Sequence, residues 1–145
     1  MVIKAFVIQK GGNMKLISVL NRYETLLYTV LRIVAGFLFL WHGTQKLLNF
    51  PHAGSSMPAY VIYIAGPIEF LGGLFIMTGL WTRIAAFICS GEMAYAYWTV
   101  HAMHGVLPLV NHGELAVLYC FLFLFIFIRG AGKFSIDYLM NRKSI

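Results

Sequence analysis

Residues 60–81 read YVIYIAGPIEFLGGLFIMTGLW, an apolar stretch whose single charged residue is Glu69. At about 1.5 Å of rise per residue, roughly 20 helical residues cross the ~30 Å hydrocarbon core of a bilayer. Backbone amides in lipid must find their hydrogen bonds within the protein, which favours a helix for a single spanning segment. The stretch therefore predicts a transmembrane helix with one carboxylate near its middle.

The composition of the whole chain also indicates a membrane protein. Hydrophobic residues make up 60% of the 145 residues, charged residues make up 11%, and Asp and Glu together number 5. This charged fraction is low for a water-soluble domain, and the length allows one domain. The net charge of +6 does not indicate nucleic-acid binding, because the basic residues flank apolar stretches. We expect the lipid bilayer as a partner and no nucleic acid.

Three further apolar stretches have a similar length, and short connections separate all of them. The predicted spans are residues 26–48, 60–81, 83–104 and 114–129. Short connections force neighbouring helices to run antiparallel, so we expect an all-α membrane protein built as an antiparallel bundle of four transmembrane helices. This domain would cover residues 23–139, between a cytoplasmic or interfacial segment at 1–22 and a cytoplasmic tail at 140–145.

Lysine and arginine residues set the expected orientation. They precede the first span, occupy the second connection at Arg83 and follow the last span, whereas Lys46 alone lies near an outer connection. Positive residues remain on the cytoplasmic side of a membrane, so both termini should be cytoplasmic. We expect no cleaved signal peptide, because no short apolar core with a small-residue cleavage site precedes the first span.

Glu69 is the first candidate site residue. Gly66 and Gly73 lie on its helical stripe, and small residues let a second helix approach closely, so its carboxylate should face the bundle interior. His42 and Lys46 reach a similar depth on the first span. Two interpretations are open. These three side chains form a proton, quinone or ion site, or Glu69 is a structural carboxylate locked to one of the two neighbours.

Glu92 lies on a second stripe of small residues, with Cys89 and Ala96, and should also face inward. Arg32 is the single arginine away from the ends of a predicted span, at a similar depth from the same side. We expect a buried Arg32–Glu92 pair that orients helices more than it stabilises them, or that completes a proton path. Cys89 and Cys120 form no C-x-x-C motif and are predicted to be small core residues.

Histidines collect near the outer connections. His101, His104 and His112, with Glu114, are candidate metal ligands, because imidazole and carboxylate groups bind transition metals. Haem ligation is a weaker alternative, and a third interpretation is that these are ordinary interfacial histidines. His101 follows Glu92 by nine residues, which places it about 180° around a helix. Unless the helix bends, those two side chains should not share a pocket.

Glycines and polar residues form a recognisable pattern over most of the chain. They are Arg32, His42-Gly43, Lys46-Leu47, Gly66-Pro67, Glu69, Gly72-Gly73, Gly79, Thr82-Arg83, Glu92-Met93, Ala96, His101, Gly113-Glu114 and the sequence GAGKFSID at 130–137. In this pattern the chain resembles the DoxX family of small four-helix membrane proteins. The resemblance implies a multi-pass protein of the bacterial inner membrane.

The resemblance also implies a connection to redox chemistry. Members of the family are commonly labelled oxidoreductases, and the family name comes from a small subunit of a quinol-oxidising or thiosulfate:quinone oxidoreductase. Relatives also occur as accessory partners in redox-stress and metal-related systems. The most diagnostic stretch, 130–137, has a structural interpretation: Gly130 and Gly132 end the fourth helix, and Ser135 or Asp137 caps a short amphipathic turn.

These observations leave two main functional hypotheses. The first is a small or accessory subunit of a quinone-linked redox system, with a quinone as cofactor and a membrane or soluble redox protein as partner. The second is a non-catalytic scaffold that assembles a redox-stress or metal-handling complex. Passage of ions along the interior is a third hypothesis, and it would require a homo-oligomer, because four short helices leave little room for a pathway.

Overall fold

The computed structural model describes residues 13–52 and 57–142, and the described part of the chain is helical without strands. The long helix α1 is followed by a π-helical turn that leads into α2, and α3 continues through a second π-helical turn and a 3-10 turn. The bounds are α1 Asn13–Leu48, π turn Val61–Ala65, α2 Gly66–Thr78, α3 Thr82–Ala96, π turn Tyr97–His101, 3-10 turn Ala102–His104, α4 Glu114–Arg129 and α5 Ile136–Arg142.

Two helical segments are long and apolar enough to cross a membrane by length and composition, Tyr23–Leu48 and Val61–Thr78. They correspond to the first two predicted spans. Helix α1 begins at Asn13, so part of the predicted N-terminal segment is continuous with the first span. No glycine or proline lies between Asn13 and Gly36 to interrupt it. Residues 1–12 lie outside the described part of the chain.

Helices α1 and α2 meet backbone to backbone. A Cβ atom added at Gly36 would lie 2.6 Å from the carbonyl oxygen of Gly73, and one added at Gly73 would lie 2.6 Å from the amide nitrogen of Leu40. Neither helix could come this close if it carried a side chain at these positions. The small-residue stripe beside Glu69 therefore faces α1, as the sequence predicts.

A small core joins all four long helices. Phe39, Ile76, Cys89 and Phe123 are fully buried, and the rings of Phe39 and Phe123 lie 4.7 Å apart in an edge-to-face arrangement. Helices α3 and α4 are linked by the Ser90 hydroxyl, which donates to a carbonyl on α4. The outer surface carries many exposed large apolar side chains, which is the surface that a protein surrounded by lipid presents.

The C-terminal segment anchors the turn between α2 and α3. The Asp137 carboxylate accepts hydrogen bonds from the backbone amides of Trp81 at 2.8 Å and Thr82 at 3.0 Å, at the start of α3. The amide of Asp137 donates to the carbonyl of Gly79 at 2.9 Å. Ser135 caps α5 by accepting the amide of Tyr138 at 3.2 Å. Of the two predicted capping residues, Ser135 therefore caps the local turn, whereas Asp137 caps a different helix.

Arginines complete this anchor by binding the free carbonyls at helix ends. The Arg83 guanidinium donates to the carbonyl oxygens of Phe127 at 2.6 Å and Ile128 at 2.8 Å, near the C-terminus of α4. Arg129 pairs with Glu24 at 2.8 Å, joining the end of α4 to α1. Carbonyls in the last turn of a helix have no partner within the helix, so Arg83 supplies the missing donors, whereas Arg129 forms an ion pair.

Candidate functional site

A cavity of 560 Å³ lies between α1, α2, α3 and α4, toward the ends opposite the α2–α3 turn. Its walls are mostly apolar and aromatic, and they include Phe39, Met93 and Tyr119. The polar groups that line it are His42, Lys46, Tyr60, Glu69, Glu92, Thr99, His101 and His112. Size, apolar walls and a few convergent polar groups are the usual features of a small-molecule site.

An ion pair joins α1 to α2 at the cavity. The Lys46 ammonium donates to Oε1 of Glu69. The Glu69 side chain is only 2% exposed, whereas that of Lys46 is 19% exposed. The ion pair agrees with the second sequence interpretation of Glu69, a carboxylate locked to a neighbour, and the cavity position leaves the first interpretation open as well.

Each of the two carboxylates in the cavity keeps one oxygen without a partner. Oε2 of Glu69 and Oε2 of Glu92 are both inaccessible to solvent and accept no hydrogen bond. Buried carboxylate oxygens normally accept a hydrogen bond. These two oxygens accept none, so they are positions at which a ligand, a proton or a water molecule could bind. Lys46 is the cation that lines this cavity, so the cavity holds more acidic groups than it has lysine or arginine to balance them.

The expected Arg32–Glu92 pair is not formed. Arg32 is almost fully buried, and its guanidinium donates to the carbonyls of Ile76, of Met77 at 2.9 Å and of Phe134 at 2.8 Å. These acceptors lie at the end of α2 and before α5, away from the cavity. Arg32 and Glu92 have a similar depth in the sequence, but depth does not reveal the backbone carbonyls that every helix end offers as acceptors.

His101 lines the same cavity as Glu92, which a regular helix would not allow. The π-helical turn Tyr97–His101 ends at His101 and has more residues per turn than an α-helix, so it changes the direction of the His101 side chain relative to Glu92. Nδ1 of His101 lies 3.1 Å from the carbonyl oxygen of Asn111, which fixes the ring. A departure from the regular α-helix therefore lets the two residues share the cavity.

The predicted metal site is not assembled. His101 and His112 line the cavity, but His104 and Glu114 do not, and both of the latter are exposed. Within residues 13–52 and 57–142, no group of three His, Cys, Asp or Glu side chains is arranged to hold a metal ion. That prediction assumed that His101 and His104 lie on one face of a regular α-helix. A π-helical turn and a 3-10 turn replace the α-helix there, so the two side chains are not placed as assumed.

Two residues that matter for the site were not identified from the sequence. Tyr119 lines the cavity, where its ring meets that of His42 at a centroid distance of 6.1 Å. Asn111 holds the third connection in place, because its side chain binds the carbonyl of Gly105 at 2.6 Å and the amide of Gly113 at 2.8 Å. The Asn-x-Gly spacing is a turn signal that could have revealed Asn111.

Comparison with known proteins gives the context for this site. The DoxX family model matches residues 27–102. An uncharacterised protein of Haemophilus influenzae is 42% identical over 125 residues, which is 81% of this chain and 93% of that protein. Inner membrane protein YqjF of Escherichia coli is 29% identical over 131 residues, which is 86% of this chain and 99% of that protein.

A more distant relative has a name that refers to redox chemistry. A Bacillus subtilis protein, Putative oxidoreductase CatD, is 30% identical over 76 residues, which is 49% of this chain and 57% of that protein. No solved structure matches the chain significantly.

Proposed function

The chain belongs to the DoxX family of membrane proteins, and on that premise we propose that it is a small subunit or accessory component of a quinone-linked redox system. It crosses the bacterial inner membrane several times, with α1 to α4 as spans and both termini in the cytoplasm. The name of the Escherichia coli relative and the apolar outer surface support this location. The name of the Bacillus subtilis relative supports the redox assignment.

The observation that carries the proposal is the Lys46–Glu69 pair with its free carboxylate oxygen, in a cavity with apolar and aromatic walls. A quinone ring is flat and apolar, with a carbonyl oxygen at each of two opposite ends. The Lys46 ammonium can donate a hydrogen bond to one of these oxygens. When the ring takes up two electrons from the partner and two protons to become a quinol, the Lys46 ammonium can provide one proton and Glu92, in its protonated form, the other. In the reverse direction the same two groups accept the protons, while the Glu69 carboxylate holds Lys46 in place.

In this proposal the electrons come from, or go to, a partner redox protein. His42 and His101 lie on the cavity wall and provide groups that exchange protons with the carboxylates. Tyr119 and Phe39 provide aromatic surface against which the ring can pack.

The test measures quinone that stays bound after gentle purification. The full-length protein is extracted in mild detergent, and its quinone content per chain is determined by chromatography. We expect quinone in the wild type and a reduction of about tenfold in Glu69→Gln, because the charged acceptor of Lys46 is lost. Glu114→Gln is the matched control, since Glu114 is exposed and lies outside the cavity. Absence of quinone in the wild type, or equal content in both variants, would contradict the proposal.

A second candidate function, a non-catalytic scaffold, is favoured by a different observation. Several charged residues form contacts that hold helix ends together: Arg32, Arg83, Arg129, Glu24 and Asp137. Helix ends held together in this way, at the side of the α2–α3 turn, would suit a protein that positions partner proteins. Quinone reduction or quinol oxidation by the isolated protein, with an artificial electron donor or acceptor, would exclude this candidate.

A further inference from the structure

We infer that the ligand of the cavity carries a long hydrocarbon tail and that it enters sideways from the bilayer, between the start of α2 and the end of α3. This inference rests on the proposed function and extends it, because it selects a lipid-dissolved, tailed quinone over a water-soluble one. The lateral opening is defined by Tyr60 and Ile64 on one side and by Tyr95 and Val100 on the other.

Each of the four residues of the lateral opening borders both the cavity and the outer surface of the molecule. All of them line the cavity, and all are also exposed on the outside of the molecule, with Ile64 61% and Tyr95 62% exposed. A side chain that borders an internal cavity and is also more than half exposed marks a gap in the wall. None of these four side chains is charged, so the gap suits hydrocarbon better than a hydrated solute.

Local irregularity of both helices coincides with the lateral opening. The π-helical turns Val61–Ala65 and Tyr97–His101 lie on the two helices that border it, at the ends remote from the connecting turn. Single π-helical turns inside helices occur often at functional sites. Between the bulkier side chains, Ala65 and Ala96 line the cavity with no more than a methyl group each. The wall is therefore thinnest where the helices are irregular.

Contacts close the cavity on the α1–α2 and α1–α4 sides. The glycine contact between α1 and α2 leaves no space for a chain to pass. Across α1 and α4, the ring of His42 meets that of Tyr119 edge-on. On the α2–α3 side itself, Gly72 packs directly against the sulfur of Cys89, and the cavity lining ends one turn away, at Glu69 and Glu92. A tail bound at Lys46 and Glu69 can leave between α2 and α3, past Ala65 and Ala96.

The first experiment compares two probes that share a ring. Binding of decylubiquinone and of its tailless form, ubiquinone-0, is measured with the full-length protein in lipid nanodiscs. In Ala96→Phe, the added ring fills the lateral opening. We expect decylubiquinone to bind about tenfold more weakly, a typical factor for a clash with one part of a ligand, while ubiquinone-0 binding stays nearly unchanged. Gly91→Phe is the control, since no atom lies within 4 Å of a Cβ added there.

The outcomes separate the lateral opening from the proposed function. If Ala96→Phe weakens the binding of both probes equally, or weakens the binding of neither, the inferred lateral opening is wrong, while quinone binding remains established. If the wild-type protein binds neither probe, the proposed function itself is wrong.

A second measurement tests the lateral opening without any quinone. The wild-type protein is placed in bilayers that contain a phosphatidylcholine with a diazirine at the end of one acyl chain, and labelled residues are identified by mass spectrometry after illumination. Met93 lines the cavity and is only 7% exposed, so a bilayer chain reaches it only through a gap. We expect label on Met93 and its loss in Ala65→Phe. Label on the exposed Tyr95 alone would overturn the inference.

Discussion

At the scale of single residues, the Lys46–Glu69 pair combines a structural and a chemical role. The pair ties α1 to α2, yet one oxygen of the Glu69 carboxylate remains free inside the cavity. A buried ion pair contributes little net stability, because desolvation of both groups offsets their attraction. Removal of one partner is much more costly, because the remaining charge is left buried and unpaired.

This asymmetry gives the first prediction, on the free energy of unfolding of the purified protein in detergent. Lys46→Met should destabilise it by about 3 kcal/mol, because Glu69 then keeps a buried charge without a partner. The double variant Lys46→Met with Glu69→Leu should recover most of this loss, since it removes both charges together. Denaturant titration followed by circular dichroism measures both. A double variant as unstable as the single one would show that the pair is not coupled.

At the scale of helices, the contact between α1 and α2 depends on the absence of side chains. Gly73 lies against the backbone of α1, whereas Gly91 on α3 has open space around it. The same substitution at these two glycines should therefore have opposite effects on stability.

The second prediction compares Gly73→Ala with Gly91→Ala. At Gly73 the new methyl group meets backbone atoms and should destabilise the protein by about 1–3 kcal/mol. At Gly91 it should stabilise the helix by about 0.5–1 kcal/mol, because alanine restricts the unfolded chain more than glycine does. The midpoints of thermal unfolding should shift in opposite directions. A shift in the same direction for both variants would contradict the packing described.

The third prediction concerns the N-terminal start of α3, which Asp137 caps. Asp137→Ala removes the acceptor for the amides of Trp81 and Thr82, and should cost about 1 kcal/mol, as the loss of an N-terminal cap does. Asp137→Asn keeps one acceptor oxygen and should lose less. Hydrogen exchange of the Trp81 and Thr82 amides reports the effect directly. Unchanged exchange in Asp137→Ala would exclude this capping role.

The helices themselves were largely predictable from the sequence, and their irregularities were not. The apolar stretch at 114–129 predicted the bounds of helix α4. Helix α1 extends further toward the N-terminus than expected, because no glycine or proline interrupts it before Gly36. The π-helical turn Tyr97–His101 has no sequence signal comparable to a proline, so its effect on His101 could not be foreseen. The role of Asp137 was equally hidden, because its partners lie on a different helix.

At the scale of the whole molecule, charge distribution predicts how the protein sits in the membrane. Arg83, Arg129 and Lys133 lie at the end that holds the α2–α3 turn, and the third connection at the opposite end has no lysine or arginine. The end with the turn should therefore face the cytoplasm. The cavity then lies in the outer half of the membrane.

The fourth prediction tests this orientation with reporter fusions. Green fluorescent protein fused after the last residue should be fluorescent, because it folds in the cytoplasm. Alkaline phosphatase joined after Val110, in the third connection, should be active, because it needs the oxidising exterior. The exchanged fusions serve as controls and should be silent. A fluorescent fusion at Val110 would reverse the orientation.

The cavity could be predicted in part from single residues. Glu69, Lys46 and His42 do lie on one cavity, because glycine spacing and depth were sufficient to place them on facing helices. Glu92 was expected to face inward and lines the same cavity, but its proposed partner does not. Depth along a helix is one coordinate of three, so it cannot decide which of several buried groups a side chain will meet.

The position of Arg32 has an electrical consequence for the cell. Its fixed positive charge lies about two turns of α1 away from Phe39, which lines the cavity, and next to the fully buried Ile76. Any other cation that approaches this region meets repulsion in a medium of low dielectric constant, as in channels where an arginine excludes protons. If the chain spans the membrane as proposed, a single copy would therefore insulate one side from the other. Proton exchange at the cavity, under the same proposal, would use one compartment and would not drain the transmembrane voltage.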